Sequence, residues 1–173
     1  MNFPFTPFRY CPRCGHPANT PTTQPLFQCR HCSFRLFFNP AVSGGAFLSN
    51  PQGQILFIVR AKEPAKGKLG LPGGFTDYHE NAEAGLIREI KEEVGLHVTQ
   101  LDYLCSLVNY YDYDDITQPV VDLFFTGQLP DNTQPQCLDD VADIAWLHPS
   151  EVDRNRIAFP SVRAALDLLA SRQ

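Results

Sequence analysis

Apolar and polar residues along this chain recur in two different rhythms, and the rhythms mark out its elements. Residues 42–48 and 54–59 are rich in β-branched and other apolar residues, and they flank the turn sequence SNPQG. They are expected to pair as strands. From Ala82 to Val94 the period lengthens. Leu86, Ile90 and Val94 stand four residues apart in a proline-free stretch of helix formers, as one buried helical face requires. Residues 98–107, 120–128 and 143–147 read as further strands, with the aromatic and acidic segment NYYDYDDITQP as a loop between the first two. A last helix is expected over residues 161–170, capped by Ser161, with Val162, Ala165, Leu166 and Leu169 facing inward. This order predicts an α/β fold, a mixed sheet sandwiched by helices.

Composition narrows the classes open to such a chain. Its 173 residues allow one medium domain plus a small appendage, and 43% apolar residues allow a sizeable core. Apolar runs such as VVDLFF at 120–125 fall far short of the roughly 18 residues that would cross a bilayer, so no membrane association is expected. The segment MNFPFTPFRY lacks a basic stretch followed by an apolar one, so a cytoplasmic location is expected. A formal charge of −5 argues against wholesale nucleic-acid binding. Residues 1–40 nevertheless hold Arg9, Arg13, Arg30 and Arg35 with no carboxylate, which leaves an RNA partner open there. The sequence also leaves a homodimer open.

The helix at 82–94 carries the most pointed chemistry. Counted at about 100° per residue from Glu89, Glu92 and Glu93 fall at about 300° and 40°, beside an apolar stripe at about 60° to 160°. Three carboxylates therefore share one arc. Arg88 and Lys91, at about 260° and 200°, sit at its edge and away from it. A solvated acidic face is the plain alternative. A hard divalent cation is the functional one, because Mg²⁺ takes oxygen ligands from a few carboxylates and substrate phosphates. Before the helix, Pro72-Gly73-Gly74 fits a tight turn where backbone must come close to a metal or phosphate. The cluster Arg60, Lys62, Lys66 and Lys68 reads as a phosphate clamp or a solubilising loop, with Arg60 at a strand end the best placed for substrate binding.

Residues 74–96, GFTDYHENAEAGLIREIKEEVGL, fill every fixed position of G-x5-E-x7-R-E-U-x-E-E-x-G-U, where U is aliphatic. This pattern resembles the Nudix box, which implies a Mg²⁺- or Mn²⁺-dependent pyrophosphohydrolase of nucleoside diphosphates linked to another moiety. The resemblance implies Glu89, Glu92 and Glu93 as catalytic metal ligands, joined by the Gly73 carbonyl. It also implies Glu80 and Arg88 as a structural ion pair, with Gly74 and Gly95 as structural box residues. A general base is expected at Glu89 or Glu93, or among the downstream acids Asp112, Asp114, Asp115, Asp139, Asp140 and Asp143, of which Asp140 is placed first. The substrate is expected to be a small nucleotide such as ADP-ribose, FAD, NADH, another dinucleotide or a nucleoside triphosphate. The alternative is an RNA-binding protein acting on capped RNA ends.

A second metal motif precedes all this. Cys11, Cys14, Cys29 and Cys32 form C-x2-C-x14-C-x2-C, and paired knuckles of this kind let four thiolates close a tetrahedron around structural Zn²⁺. The pattern resembles a zinc ribbon of the CPxCG type. His31 is a substitute ligand that four cysteines make unnecessary. Residues 1–39 are thus expected to form a zinc ribbon and residues 40–173 the hydrolase domain, with Cys105 and Cys137 as ordinary thiols.

Overall fold

In the computed structural model, which describes residues 3–4, 8–18 and 25–172, the period-two segments become a mixed sheet between two helices. The strands are β1 Leu26–Gln28, β2 Arg35–Phe37, β3 Ala41–Ser49, β4 Ile55–Arg60, β5 Leu69–Gly70, β6 Asp102–Tyr113, β7 Ile116–Gln128 and β8 Val141–Leu147. The helices are α1 Ala82–Val94 and α2 Pro160–Ala170. Two compact units result, Met1–Ala41 with Tyr110–Pro119, and Val42–Asn109 with Val120–Gln173. The threonine- and proline-rich spacer between the knuckles lies largely outside the described residues.

The sheet runs β5-β4-β3-β7-β6, with β8 also pairing β4. Strand β8 lies antiparallel to β4 from Ile55↔Leu147 to Arg60↔Val141. Against β7, β3 runs parallel, because Ser43 meets Asp122 at one end and Ser49 takes the Leu129 N–H at the other. Alternation then sorts side chains to the two faces. Ala46, Leu48, Leu56, Ile58 and Phe125 pack with Leu86, Ile90 and Val94 of α1. Their neighbours Phe47, Ile55, Phe57 and Phe124 pack with Val162, Ala165 and Leu166 of α2. Each fully buried Leu or Ile stabilises by about 1.5 to 3 kcal/mol, so the stripe on α1 alone fixes which face of that helix turns inward.

One irregularity places the site. Strands β3 and β4 pair at Ser49↔Ile55 and then splay. The loop after β5 fills the gap as an extra antiparallel partner of β3. The Ala46 N–H donates to the Pro72 carbonyl, Gly44 N–H to Gly74 O, and Thr76 N–H to Val42 O. The Pro-Gly-Gly turn is therefore stitched into the sheet.

Three expectations need correction. Residues 109–119 are not an open loop: β6 and β7 run on into a hairpin whose turn is Asp114-Asp115, with φ of 45° and 62°. Two consecutive left-handed residues match the twist of a two-residue hairpin, and Asp tolerates that region. Residues 98–101 precede the strand rather than begin it. Helix α2 starts one residue early with Pro160, and its N-cap is Phe159, which makes no side-chain cap bond. Ser161 instead donates its hydroxyl to Asp122.

Candidate active site

Helix α1 is held at both ends by its own sequence. Asn81 accepts the Ala84 N–H as N-cap, and Gly95, at φ 70°, closes the helix by donating to Lys91 O. Glu93 sits on the buried side at 9% exposure, and its Oε2 accepts the Gly73 N–H at 2.9 Å. Burial pushes its carboxyl up to about 8, against the pull of that N–H, and the neighbouring Glu89 charge adds to the rise. The charges of Arg60 and Asp140 also reach it, the first lowering and the second raising its pKa. Burial raises the Glu89 carboxyl too, with Arg88 working against it. A carboxylate pair disfavoured in this way is the electrostatic setting that a divalent cation relieves.

The glycines bring this about. A Cβ on Gly73, at φ 138°, would lie 2.2 Å from the Gly44 carbonyl oxygen, so no side chain fits between the loop and β3. A Cβ on Gly74 would lie 2.6 Å from the Glu89 carboxyl carbon. Loop backbone and carboxylates thus occupy adjoining space, and Gly73 and Gly74 are brought together with Glu89 and Glu93.

Arg88 does more than the helical projection indicated. Its Nε and Nη2 grip both oxygens of Glu80 at 3.2 and 2.6 Å, and Nη2 also donates to Phe75 O at 3.1 Å. Its Nη1 turns back to Glu89 at 2.8 Å and Glu92 at 3.0 Å. The Cα projection put it at the edge of the acidic arc, but a long side chain spans that distance. Glu80 is held below the usual carboxylate range by this guanidinium.

On the facing loop, the Arg60 Nε donates to Pro64 O at 2.9 Å, and its guanidinium carbon stands 5.1 Å from the Phe159 ring centre. Asp140 is at φ 54°, its carbonyl takes the Ala61 N–H, and its carboxylate pairs with Lys62, whose amine it raises in pKa. Asp143 bonds the N–H of Ile144, and Asp112 bonds the Thr117 hydroxyl.

The four predicted thiols also converge. Cys11 and Cys32 sulfurs are 3.7 Å apart, Cys14 and Cys29 sulfurs 3.8 Å, and all four lie within 4.8 Å of one another. A tetrahedral Zn–S₄ centre with bonds of about 2.3 Å has S–S edges of about 3.8 Å. Among the described residues this is the one group of three or more candidate ligands so tightly drawn together. The Cys32 N–H points at the Cys29 sulfur and holds that thiol down at about 6. A backbone bond from His16 works the same way on Cys14, but burial and the three neighbouring sulfurs outweigh it and push it up to about 12. Four sulfurs this close share negative charge only with a cation among them. Around them Phe8, Phe27, Phe34, Leu36 and Phe38 form a small core, while Tyr10 and Phe37 stay exposed. His31 stacks on His16 at 4.4 Å.

The sequence does not single out Asp122, Ser43 or Phe159, and it marks Ser161 as a helix cap rather than as a partner of Asp122. The signal for Asp122 was present, since one carboxylate interrupts the apolar run VVDLFF.

A glutamate-bearing helix fed by a glycine turn wedged into a mixed sheet defines a class of α/β proteins built around an acidic face. Within it, the NUDIX domain model matches residues 39–167, and the chain belongs to that family. It is 43% identical over 82 residues to an ADP-ribose pyrophosphatase of Methanocaldococcus jannaschii, covering 47% of this chain and 46% of the relative. It is 29% identical over 98 residues to the NAD-capped RNA hydrolase NudC of Pseudomonas putida, covering 57% of this chain and 35% of the relative. The matched stretch thus spans half or less of either relative's length. Among solved structures, a MutT NUDIX hydrolase from Burkholderia pseudomallei superposes with a TM-score of 0.65 at 26% identity, covering 76% of this chain and 98% of that one.

Proposed function

We propose that this chain hydrolyses the pyrophosphate bond of a small nucleotide in which a nucleoside diphosphate is joined to a second moiety. The observation that carries the reading is the Gly73 N–H on the buried Glu93 beside Glu89, within a NUDIX domain. Glu89, Glu92, Glu93 and the Gly73 carbonyl would hold Mg²⁺ or Mn²⁺. Bound there, the cation supplies charge neutralisation for the diphosphate and acidifies a water.

The remaining work falls to the chain's own groups. Glu93 carries a proton more readily than an ordinary glutamate, and it would have to give that proton up to hold a cation. Arg60, oriented by Pro64 O and Phe159, presents fixed positive charge to the substrate phosphates. The proton of the attacking water goes to Glu89 or Glu93, or to a downstream acid, of which Asp140 is the first choice. The relatives' names point to ADP-ribose and to NAD-linked ends, which share an ADP-ribosyl diphosphate, and that is the substrate class we favour.

The first unit is proposed as a zinc ribbon, with Cys11, Cys14, Cys29 and Cys32 as a closed structural shell. Action on a capped RNA end is the second reading, motivated by Arg9, Arg13, Arg30 and Arg35, all exposed. The same unit includes Asp112, Asp114 and Asp115, and a four-thiolate zinc centre adds about −2, so its basic character is largely cancelled. Small nucleotides are therefore preferred.

Chromatography of the products from ADP-ribose, NADH, FAD, dinucleoside polyphosphates and nucleoside triphosphates tests the substrate class directly, because cleavage of an ADP-ribosyl diphosphate leaves AMP and a second monophosphate ester. Glu93→Gln should lower turnover by orders of magnitude on whichever substrate is best, and near-native rates would sink the assignment. Gel shift at low salt tests the RNA reading, because phosphate-dominated binding is strongest there.

A further inference from the structure

Asp122 is 6% exposed in the middle of β7, and a buried carboxylate is tolerated only when it is well hydrogen-bonded. Here both oxygens are used. Ser43 of β3 donates to Oδ1 at 2.6 Å, and Ser161 in the first turn of α2 donates to Oδ2 at 2.5 Å. Helix α2 has no side-chain cap of its own, and Asp122 brings negative charge from a strand to its positive end. An apolar residue would fill this core position as its neighbours do. What it would not supply is two directed bonds to two different elements.

Each bond leads to a different side of the active site. Ser43 bridges Phe75, the next residue Gly44 binds Gly74 O, and the Gly44 carbonyl abuts Gly73, whose N–H holds Glu93. Ser161 fixes the start of α2, directly after Phe159, whose ring lies against the Arg60 guanidinium. The preceding Ala158 N–H is tied to Leu69 O at the end of the Arg60 loop.

We propose that Asp122 is a positioning residue that sets the spacing between the glutamate and glycine side of the site, reached through Ser43, and the Arg60 side, reached through Ser161. This rests on the pyrophosphohydrolase reading for its kinetic consequences but not for its effect on metal affinity. The two arms are separable. Ser43→Ala should weaken Mn²⁺ binding by about tenfold, the scale for residues that orient ligands from behind, with little change in KM. Ser161→Ala should raise KM for the best substrate severalfold and leave Mn²⁺ affinity as it was. Asp122→Leu should show both defects, and Asp122→Asn, which keeps one acceptor, should recover part of each.

Mn²⁺ affinity is read from its electron paramagnetic resonance signal, which needs no turnover, alongside kcat, KM and Tm. Opposite specialisation of the two serine variants supports the proposal, and they decide it even if Asp122→Leu does not fold. If both variants change Mn²⁺ affinity and KM in the same proportion, or only Tm, Asp122 is structural filler and the proposal falls. If the wild-type chain binds Mn²⁺ yet hydrolyses nothing in the panel, the functional reading fails, while the Mn²⁺ affinities of the Ser43 and Ser161 variants still judge Asp122.

Discussion

Gly73→Ala should be the most damaging single-methyl change in the active-site loop. At φ 138° an L residue is strained, and the added Cβ would sit 2.2 Å from the Gly44 carbonyl oxygen and 2.9 Å from Leu86 Cδ1. Strain of this kind costs about 1 to 3 kcal/mol and overpacking about 1 to 3 more, with some overlap between them. Relief requires the loop to move off β3, which breaks the bond from Gly73 N–H to Glu93. A net loss near 3 kcal/mol lowers Tm by on the order of 10 °C in a domain of this size. Gly74→Ala provides the control. Its Cβ meets the end of the Glu89 side chain rather than backbone, and that end can swing away. Its Tm should fall by only about 2 °C, within the range of mild substitutions, while the Mg²⁺ concentration for half-maximal activity rises. Thermal unfolding by circular dichroism, followed by Mg²⁺ titration of activity, separates the two. Wild-type Tm in Gly73→Ala, or a larger loss in Gly74→Ala, would refute the account of the wedge.

Without added divalent cation, Glu93 should make the fold less stable as pH rises. Its folded pKa of about 8 lies above the ordinary glutamate value, so stability is full below about 4.5 and declines towards 8, by on the order of 5 kcal/mol at most. Urea midpoints at both ends of that window should differ in the wild type and far less in Glu93→Gln. Brief EDTA treatment should abolish activity until Mg²⁺ is added, with zinc still measured at about one per chain. Cys14→Ser should lose that zinc and melt the small unit, and unchanged stability with no zinc in the pure protein would end the ribbon assignment. Arg88→Lys cannot reproduce the forked grip on Glu80 together with Phe75 O, Glu89 and Glu92, so residues 75–80 should become sensitive to limited proteolysis.

The sequence was legible where periodicity and ligand spacing are local. Leu86, Ile90 and Val94 announce α1 because helical geometry alone stacks them, and the two Cys-x2-Cys pairs announce a cluster of four sulfurs because each knuckle is a short-range object. Strand β5 was not legible, since two residues carry no period. The hairpin at Asp114-Asp115 was misread because tyrosine and aspartate alternate like loop residues while their pairing partners lie across the turn. Ser161 has the local marks of a cap, but a carboxylate 39 residues away accepts its hydroxyl. Arg88 was judged from its Cα angle, which says little about where a guanidinium several bonds farther out will settle.

Because the Pro-Gly-Gly turn is a rung of the sheet, its opening is not a local event. Catalytic loops ordinarily exchange amide protons early, at free energies well below global unfolding. Here the Gly44 and Ala46 amides point into the turn, and the Thr76 and Gly73 amides point out of it to β3 and Glu93. Their deuterium uptake should therefore follow release of the turn from β3 rather than fraying of a loop end. On warming, the geometry around Glu93 and the core should be lost together.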